Sequence, residues 1–139
     1  MMTNSPNGTN RARKLLGPEV LYPELSYRIM EAIFAVHNRL GPGFNEDIYQ
    51  RALNAEFEIR EIPFETEKCI TIFYREKTVG TYRLDLVVDG KIIIELKAVL
   101  SLNDLFKQQL TSYLKATGLR LGILINFGAR RVEYVRNAN

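Results

Sequence analysis

Hydrophobic residues recur with two different periods along the chain, and the change of period separates helices from strands. Between residues 24 and 40 the apolar positions are three or four residues apart, which predicts a helix. The Gly-Pro-Gly of residues 41–43 ends this helix. A second helix is predicted from about residue 45 to 60, with Asn45 as its N-cap and Pro63 beyond its end.

From Cys69 onward the apolar residues alternate with polar ones, which is typical of strands. Three strands are predicted in succession, at residues 69–74, 79–88 and 91–97. A third helix follows at 104–117 with Ser101 or Asn103 as its cap, and then a buried strand at 118–128 and an edge strand at 130–136. The predicted order is ααβββαββ, an α/β fold in which helices flank a mixed sheet.

Length and composition describe one ordinary globular domain. The 139 residues are 46% hydrophobic and 25% charged, and no apolar run approaches the ~20 residues that span a bilayer. We predict a disordered leader at residues 1–17 and a single domain at 18–139, without a secretory signal. The single cysteine, Cys69, is expected to be buried as a small hydrophobe, and its isolation favours a cytoplasmic, reducing location.

The dipeptide Asp89-Gly90 marks a hairpin between the second and third predicted strands. A two-residue loop would leave both faces of this hairpin mixed, whereas a three-residue loop at residues 88–90 separates apolar from charged positions. One face then holds Leu84, Leu86, Ile92, Ile94 and Leu96, and the other holds Arg83, Asp85, Val87, Lys91, Ile93, Glu95 and Lys97.

That register makes Asp85 and Glu95 diagonal neighbours, about 7–8 Å apart at the backbone, with Lys97 one step further. Adjacent carboxylates repel each other unless a cation neutralises them, and Mg²⁺ is a natural candidate. A lysine beside such a metal can stabilise a developing phosphoryl charge or orient a water. The alternative is a solvated face on which Arg83 and these three residues form surface ion pairs.

Several motifs together resemble a known group of enzymes. Asp85, nine intervening residues and then Glu95-Leu96-Lys97 resemble the D…E-x-K signature of the PD-(D/E)XK nuclease superfamily. "GFNEDIY" at 43–49 resembles the motif that names the GxxExxY protein family, and "QLTSY" at 109–113 resembles a QxxxY helix motif of exonuclease-like branches. The resemblance covers roughly residues 30–130 and implies a restriction-endonuclease-like core. A leucine, rather than the proline of the signature, precedes Asp85.

The resemblance implies roles for the residues that match these motifs. Asp85 and Glu95 would be the metal carboxylates, the backbone carbonyl of Leu96 a further ligand, and Lys97 the catalytic lysine. Glu46 would be an additional upstream carboxylate. Taken alone, Glu46 would be an ordinary first-turn acid that the helix dipole favours.

Four further residues have a functional and a structural interpretation each. Gln109 and Tyr113, at i and i+4 of one helix, would orient the site or contact the substrate backbone, or are simply half-buried. His37 belongs either to the site or to a helix cap at the edge of the core. Tyr49 is either a site residue or a packing residue with a hydrogen-bonding hydroxyl.

The resemblance implies a Mg²⁺- or Mn²⁺-dependent phosphodiester hydrolase acting on DNA, in which the two carboxylates and the lysine assist attack by water. The alternatives are a binding module that keeps the nuclease fold without chemistry, and a structural partner that dimerises through its final strand or first helix. Candidate phosphate contacts, equally ordinary as surface charges, are Lys107, Lys115, Arg120, Arg130 and Arg131.

Overall fold

The helices and strands follow in the predicted order ααβββαββ in a computed structural model that describes residues 21–139. The predicted leader at 1–17 lies outside the described residues. The helices are α1 (Pro23–Leu40), α2 (Glu46–Ile59) and α3 (Asp104–Thr117). The strands are β1 (Phe64–Tyr74), β2 (Lys77–Val88), β3 (Ile92–Lys97), β4 (Leu121–Asn126) and β5 (Glu133–Ala138).

The strands form one mixed sheet in the order β1-β2-β3-β4-β5. Among the strands of residues 21–139, only β3 and β4 are parallel neighbours, and α3 connects them. Lys97 at the end of β3 pairs with Asn126 at the end of β4, so both strands finish at one edge, which we call the Lys97 end of the sheet. As predicted, β4 is buried throughout and β5 is an edge strand.

Helices cover both faces of the sheet and enclose two hydrophobic clusters. On one face, α1 and α2 bury residues such as Ile29, Leu53 and Phe57 against the strands. On the other face, Leu110 and Leu114 of α3 pack on the sheet. The domain is therefore three-layered, with the sheet between helices, as the α/β prediction required.

Side-chain hydrogen bonds stabilise the segments in which α2 and α3 begin. Asn103 caps α3, because its side-chain oxygen accepts a hydrogen bond from the Phe106 N–H at 3.1 Å. Asn45 occupies the N-cap position of α2 but makes no capping hydrogen bond with its side chain. Instead, the Tyr49 hydroxyl accepts from the Phe44 N–H at 3.2 Å and donates to the Gly41 carbonyl, which ties down the α1–α2 turn.

The β2–β3 hairpin keeps the predicted parity, but its loop lies one residue later. Val88 pairs with Ile92, so the loop is residues 89–91 rather than 88–90. Asp89 and Gly90 both have positive φ, of 52° and 64°, and the Lys91 N–H donates to the Val88 carbonyl. Extending this register by one pair beyond Leu86 and Ile94 sets Asp85 directly opposite Glu95 rather than diagonal to it.

The prediction that Leu84 shares a face with Leu86 is wrong. Leu84 packs with the α3 cluster, whereas Leu86 packs with the α1–α2 cluster. The ladder between β1 and β2 has no pair at Glu67 and Asp85, and Glu67 adopts a φ of 52°. The side-chain alternation of β2 therefore changes faces at Asp85.

Cys69 is exposed, so the expectation that it is buried is wrong. It lies on β1, which is the outermost strand of the sheet and whose neighbouring positions are mostly exposed. Within residues 21–139, no helix is both long and apolar enough to cross a membrane.

Candidate active site

Asp85 and Glu95 come together where β2 leaves its neighbours. The Leu96 N–H donates to Asp85 Oδ2 at 2.8 Å, and the Asp85 N–H makes a longer hydrogen bond of 3.4 Å to Glu95 Oε1. Glu95 is only 3% exposed and Asp85 is half-buried. The two acids thus form a buried acidic pair, linked through main-chain amides.

The electrostatics of the acidic pair are unfavourable to two negative charges. Burial, the charge of Asp85 and a hydrogen bond with it raise the pKa of Glu95 to about 9. Burial also raises the pKa of Asp85, although the Leu96 N–H and the Lys97 charge oppose this effect. Within the described part of the chain, neither carboxylate has a basic partner within ion-pair distance. Such a pair is costly to ionise without a cation.

Lys97 lies beside the pair at the end of β3. Its Nζ is 4.5 Å from the centroid of the Phe106 ring, a cation–π contact with the first turn of α3. Its positive charge lowers the pKa values of Asp85, Glu95 and Glu46. The lysine is therefore held by an aromatic ring and is close enough to influence all three acids.

Glu46, in the first turn of α2, lies at the periphery of the acidic pair and Lys97. Burial and the charge of Asp85 raise its pKa, and Lys97 lowers it. Its side chain is exposed, and across residues 21–139 no three His, Cys, Asp or Glu side chains converge closely enough to hold a metal ion by themselves. The acidic pair with its neighbouring Lys97 is the centre of the site, and Glu46 is an outlying acid.

One of the predicted α3 residues, Tyr113, faces the same region. Tyr113 stacks on Tyr82 of β2 with ring centroids 4.1 Å apart and planes inclined by 20°. Burial raises the pKa values of both phenols, and the charges of Glu95 and Asp85 raise them further. Gln109 is half-buried one helical turn before Tyr113. The helix α3 therefore contributes one wall of the site.

His37 and Tyr49 lie elsewhere, on the α1–α2 side of the sheet. Nε2 of His37 is 3.0 Å from the Ala129 carbonyl oxygen, and its ring stacks on Phe127. The fully buried Tyr49 stacks on the same Phe127 ring at 4.8 Å. Both contacts agree with the structural interpretations of these residues, and neither side chain contacts the acidic pair.

The candidate phosphate contacts fall into two groups. Arg130 and Arg131 are exposed in the turn after β4, and Lys107 is exposed in the first turns of α3, so all three lie towards the Lys97 end. Lys115 lies near the last turn of α3, and Arg120 directly precedes β4, so both lie towards the opposite end of the sheet.

Three residues at the site were not identified from the sequence. Nε2 of Gln50 donates to the Asp85 main-chain carbonyl at 3.0 Å, and Tyr82 supports Tyr113. The fully buried Asn126 exchanges hydrogen bonds with both the N–H and the carbonyl of Val99, each at 2.9 Å. Gln50 could have been found by its position one turn after Glu46, but the other two contacts depend on the tertiary fold.

Comparison with known proteins identifies the class. Residues 23–137 match the family described as the PD-(D/E)XK nuclease superfamily. Because this match covers most of the chain, the chain belongs to that superfamily. Members of this superfamily generally use divalent metal ions.

A solved structure described as "Crystal structure of SSO0001" is similar to this chain. It has 25% sequence identity and a TM-score of 0.55, over 68% of this chain and 50% of that chain. This chain thus corresponds to about half the length of that protein. No curated protein matches the sequence.

The acidic pair fits a hard divalent cation. Its donors are carboxylate oxygens, which suit Mg²⁺ and Mn²⁺, and Lys97, whose charge lowers both pKa values, forms no ion pair with either acid. A divalent ion would relieve the repulsion that raises the two pKa values. With only two buried carboxylates, further ligands would have to come from main-chain oxygen, water or substrate.

Proposed function

We propose that this protein is a Mg²⁺- or Mn²⁺-dependent nuclease of the GxxExxY group that hydrolyses phosphodiester bonds in DNA. The observation that carries the proposal is the acidic pair, a buried and a half-buried carboxylate side by side with no ion-pair partner in the described chain. Two ionised carboxylates this close together destabilise the folded protein, and a bound divalent cation would remove that electrostatic cost.

Asp85 and Glu95 would hold the ion, joined by the Leu96 main-chain carbonyl and, from the rim, by Glu46. The bound ion would supply Lewis-acid stabilisation of the charge that develops on the phosphoryl oxygens. The acidic pair is suited to this role because it is preorganised by the two hydrogen bonds to main-chain amides.

Lys97 would act on the substrate itself. Its ammonium group is held against Phe106, beside the acids, where a scissile phosphate approaching the ion would meet it. A positive charge at that point stabilises the additional negative charge of the transition state. Gln109 and Tyr113 would line the path of the substrate on the α3 side.

The surroundings of the site favour an anionic substrate. The first turns of α2 and α3 both lie near the acidic pair, through Glu46 and Phe106 respectively. Helix N-termini attract phosphate, and Arg130, Arg131 and Lys107 add positive charge at the Lys97 end. Lys115 remains a candidate phosphate contact further from the acids.

The experiment is a cleavage assay with end-labelled and internally labelled DNA and RNA, single- and double-stranded, in Mg²⁺, Mn²⁺ or EDTA. We expect metal-dependent cleavage of DNA that Glu95→Gln abolishes. A folded Asp47→Asn variant, which removes an exposed acid next to Glu46, serves as the matched control and should cleave normally. Intact DNA under every condition, with oligonucleotide binding unaffected by Glu95→Gln, would instead indicate a binding module.

A further inference from the structure

Asp85 lies at an irregular point of the sheet, where the main chain has lost its usual restraints. No ladder pair joins it to β1, and the β2–β3 ladder ends one residue away at Leu86. In a regular strand, two neighbours fix the backbone of each residue by hydrogen bonds. At Asp85, these bonds must be replaced if the carboxylate is to keep a defined position.

Gln50 of α2 supplies one replacement. Its Nε2 donates to the Asp85 main-chain carbonyl at 3.0 Å, which is good hydrogen-bond geometry. The helix backbone at Gln50 is anchored, because its helix neighbours Tyr49 and Leu53 are both fully buried in the core. The bond thus connects a rigid helix to the residue at which β2 leaves the ladder.

We propose that Gln50 is a positioning residue for the metal site, which acts by holding the main chain of Asp85 so that its carboxylate stays opposite Glu95. The proposal rests on the proposed function, because it assigns Gln50 to that same site. Gln50 does not touch the substrate or the reacting atoms. Its effect reaches them through the Asp85 backbone.

The surroundings of Gln50 make the proposal testable without unfolding the protein. Gln50 lines an open cavity of about 270 Å³ together with Asn54, Thr66 and Glu67. When the Gln50 amide is removed, water can therefore reach the Asp85 carbonyl. The water replaces the lost hydrogen bond but does not restrain the position of the Asp85 main chain. Loss of Gln50 should loosen Asp85 more than it destabilises the fold.

Two variants remove the donor. Gln50→Met keeps the length of the side chain without its amide, and Gln50→Glu keeps its polarity but cannot donate when ionised. Arg28→Met is the matched control, because Arg28 makes a similar side-chain bond of 2.8 Å to the Arg60 carbonyl at the far end of α2. Gln50→Glu serves as the test if Gln50→Met fails to fold.

The first readout needs no metal. The Leu96 N–H donates to Asp85 Oδ2, so its hydrogen exchange, measured by NMR in EDTA, reports whether the Asp85 carboxylate is in place. We expect exchange at Leu96 to be about tenfold faster in the Gln50 variants and unchanged in Arg28→Met. Unchanged exchange at Leu96 in a folded Gln50 variant overturns the proposal.

The second readout is the affinity for Mn²⁺, measured by calorimetry on the same proteins. We expect about tenfold weaker binding in Gln50→Met, as is typical when a residue that supports a metal ligand is lost, and wild-type affinity in Arg28→Met. Equal Mn²⁺ affinity in wild type and a folded Gln50→Met also overturns the proposal. A wild type that binds no Mn²⁺ defeats the proposed metal site, and exchange at Leu96 then decides the role of Gln50 alone.

Discussion

At the residue scale, Glu95 is the side chain whose surroundings differ most from those of an ordinary carboxylate. It is almost fully buried on a central strand, faces a second acid and has a pKa raised to about 9. Because the folded state favours the protonated form, its contribution to stability is complete below the ordinary pKa of 4.5 and is lost as the pH rises towards 9.

We therefore expect the metal-free protein to lose stability between about pH 5 and pH 9, and Glu95→Gln to remove most of this loss. At pH 8 the free energy of unfolding of Glu95→Gln should exceed that of wild type by about 1–3 kcal/mol. Urea unfolding in EDTA at pH 5 and pH 8 measures this, with Glu58→Gln, an exposed acid on α2, as control. Parallel pH profiles for wild type and Glu95→Gln would show that Glu95 is ordinarily ionised.

Lys97 gives a second test at this scale. Lys97→Met removes the charge that lies beside the acids but keeps an apolar stem against Phe106. The rate of cleavage should fall by about 10²–10³-fold, because the negative charge that develops in the transition state loses the ammonium group that stabilises it. The affinity for Mn²⁺ should stay equal or increase. Single-turnover cleavage and metal titration of the same preparation separate the two effects. A parallel loss of metal binding would show that Lys97 supports the site structurally.

The sequence predicted the acidic pair and Lys97 because all three lie in one hairpin, where a period of two and a turn dipeptide decide which residues share a face. It did not predict Gln50, Tyr82 or Asn126 as parts of the site. Their contacts join residues separated by 27 to 35 positions, as in Gln50 to Asp85 and Asn126 to Val99, or depend on how α3 packs on β2. Such contacts depend on tertiary packing, which a local sequence pattern does not predict.

At the scale of elements, the connection from β3 to α3 determines where Lys97 and Phe106 meet. The Phe127 N–H donates to the Lys97 carbonyl at 2.9 Å, and Asn126 bonds Val99 on both its amide and its carbonyl. Gly128 packs so closely that a methyl group there would lie 2.5 Å from the Val99 carbonyl oxygen. The main chains after β3 and β4 are thus held in direct contact.

Gly128→Ala tests this contact. A methyl group would press on the backbone of Ala98 and Val99, which cannot move aside as a flexible side chain would, so we expect a loss of about 2–3 kcal/mol in the free energy of unfolding. Gly80→Ala on β2 is the control, because nothing lies within 4 Å of its added methyl. Urea unfolding of both variants checks the prediction. Equal stability of the two would show that the β3–α3 connection adjusts freely.

The order and approximate bounds of the elements were predictable, because helical and strand periods are distinct along this chain. The errors arose where a strand is irregular. Leu84 changes faces because the β1–β2 ladder is interrupted at Glu67 and Asp85, and an alternating pattern assumes a strand without such a break. Cys69 is exposed because β1 is an edge strand, and a local sequence pattern does not predict the order of strands in a sheet.

At the scale of the whole molecule, positive charge is present at both ends of the sheet, but the acidic pair is close to one end only. We expect the double variant Arg130→Ser/Arg131→Ser to weaken binding of a short DNA duplex and to reduce the salt dependence of that binding, by about one unit of slope for each lost phosphate contact. Lys115→Ser/Arg120→Ser removes the same charge at the opposite end and should have a smaller effect. Fluorescence anisotropy at several salt concentrations compares them, and equal losses would show that net charge alone governs binding.

The proposed activity depends on the binding of a divalent cation by the acidic pair. Its most direct test is calorimetric titration of Mn²⁺ into wild type and into Asp85→Asn/Glu95→Gln, repeated in the presence of an oligonucleotide that can supply phosphate oxygens. We expect saturable binding that Mg²⁺ competes for in wild type and no such binding in the folded double variant. Equal binding by both proteins, or none by wild type even with the oligonucleotide present, would show that the acidic pair is not a metal site.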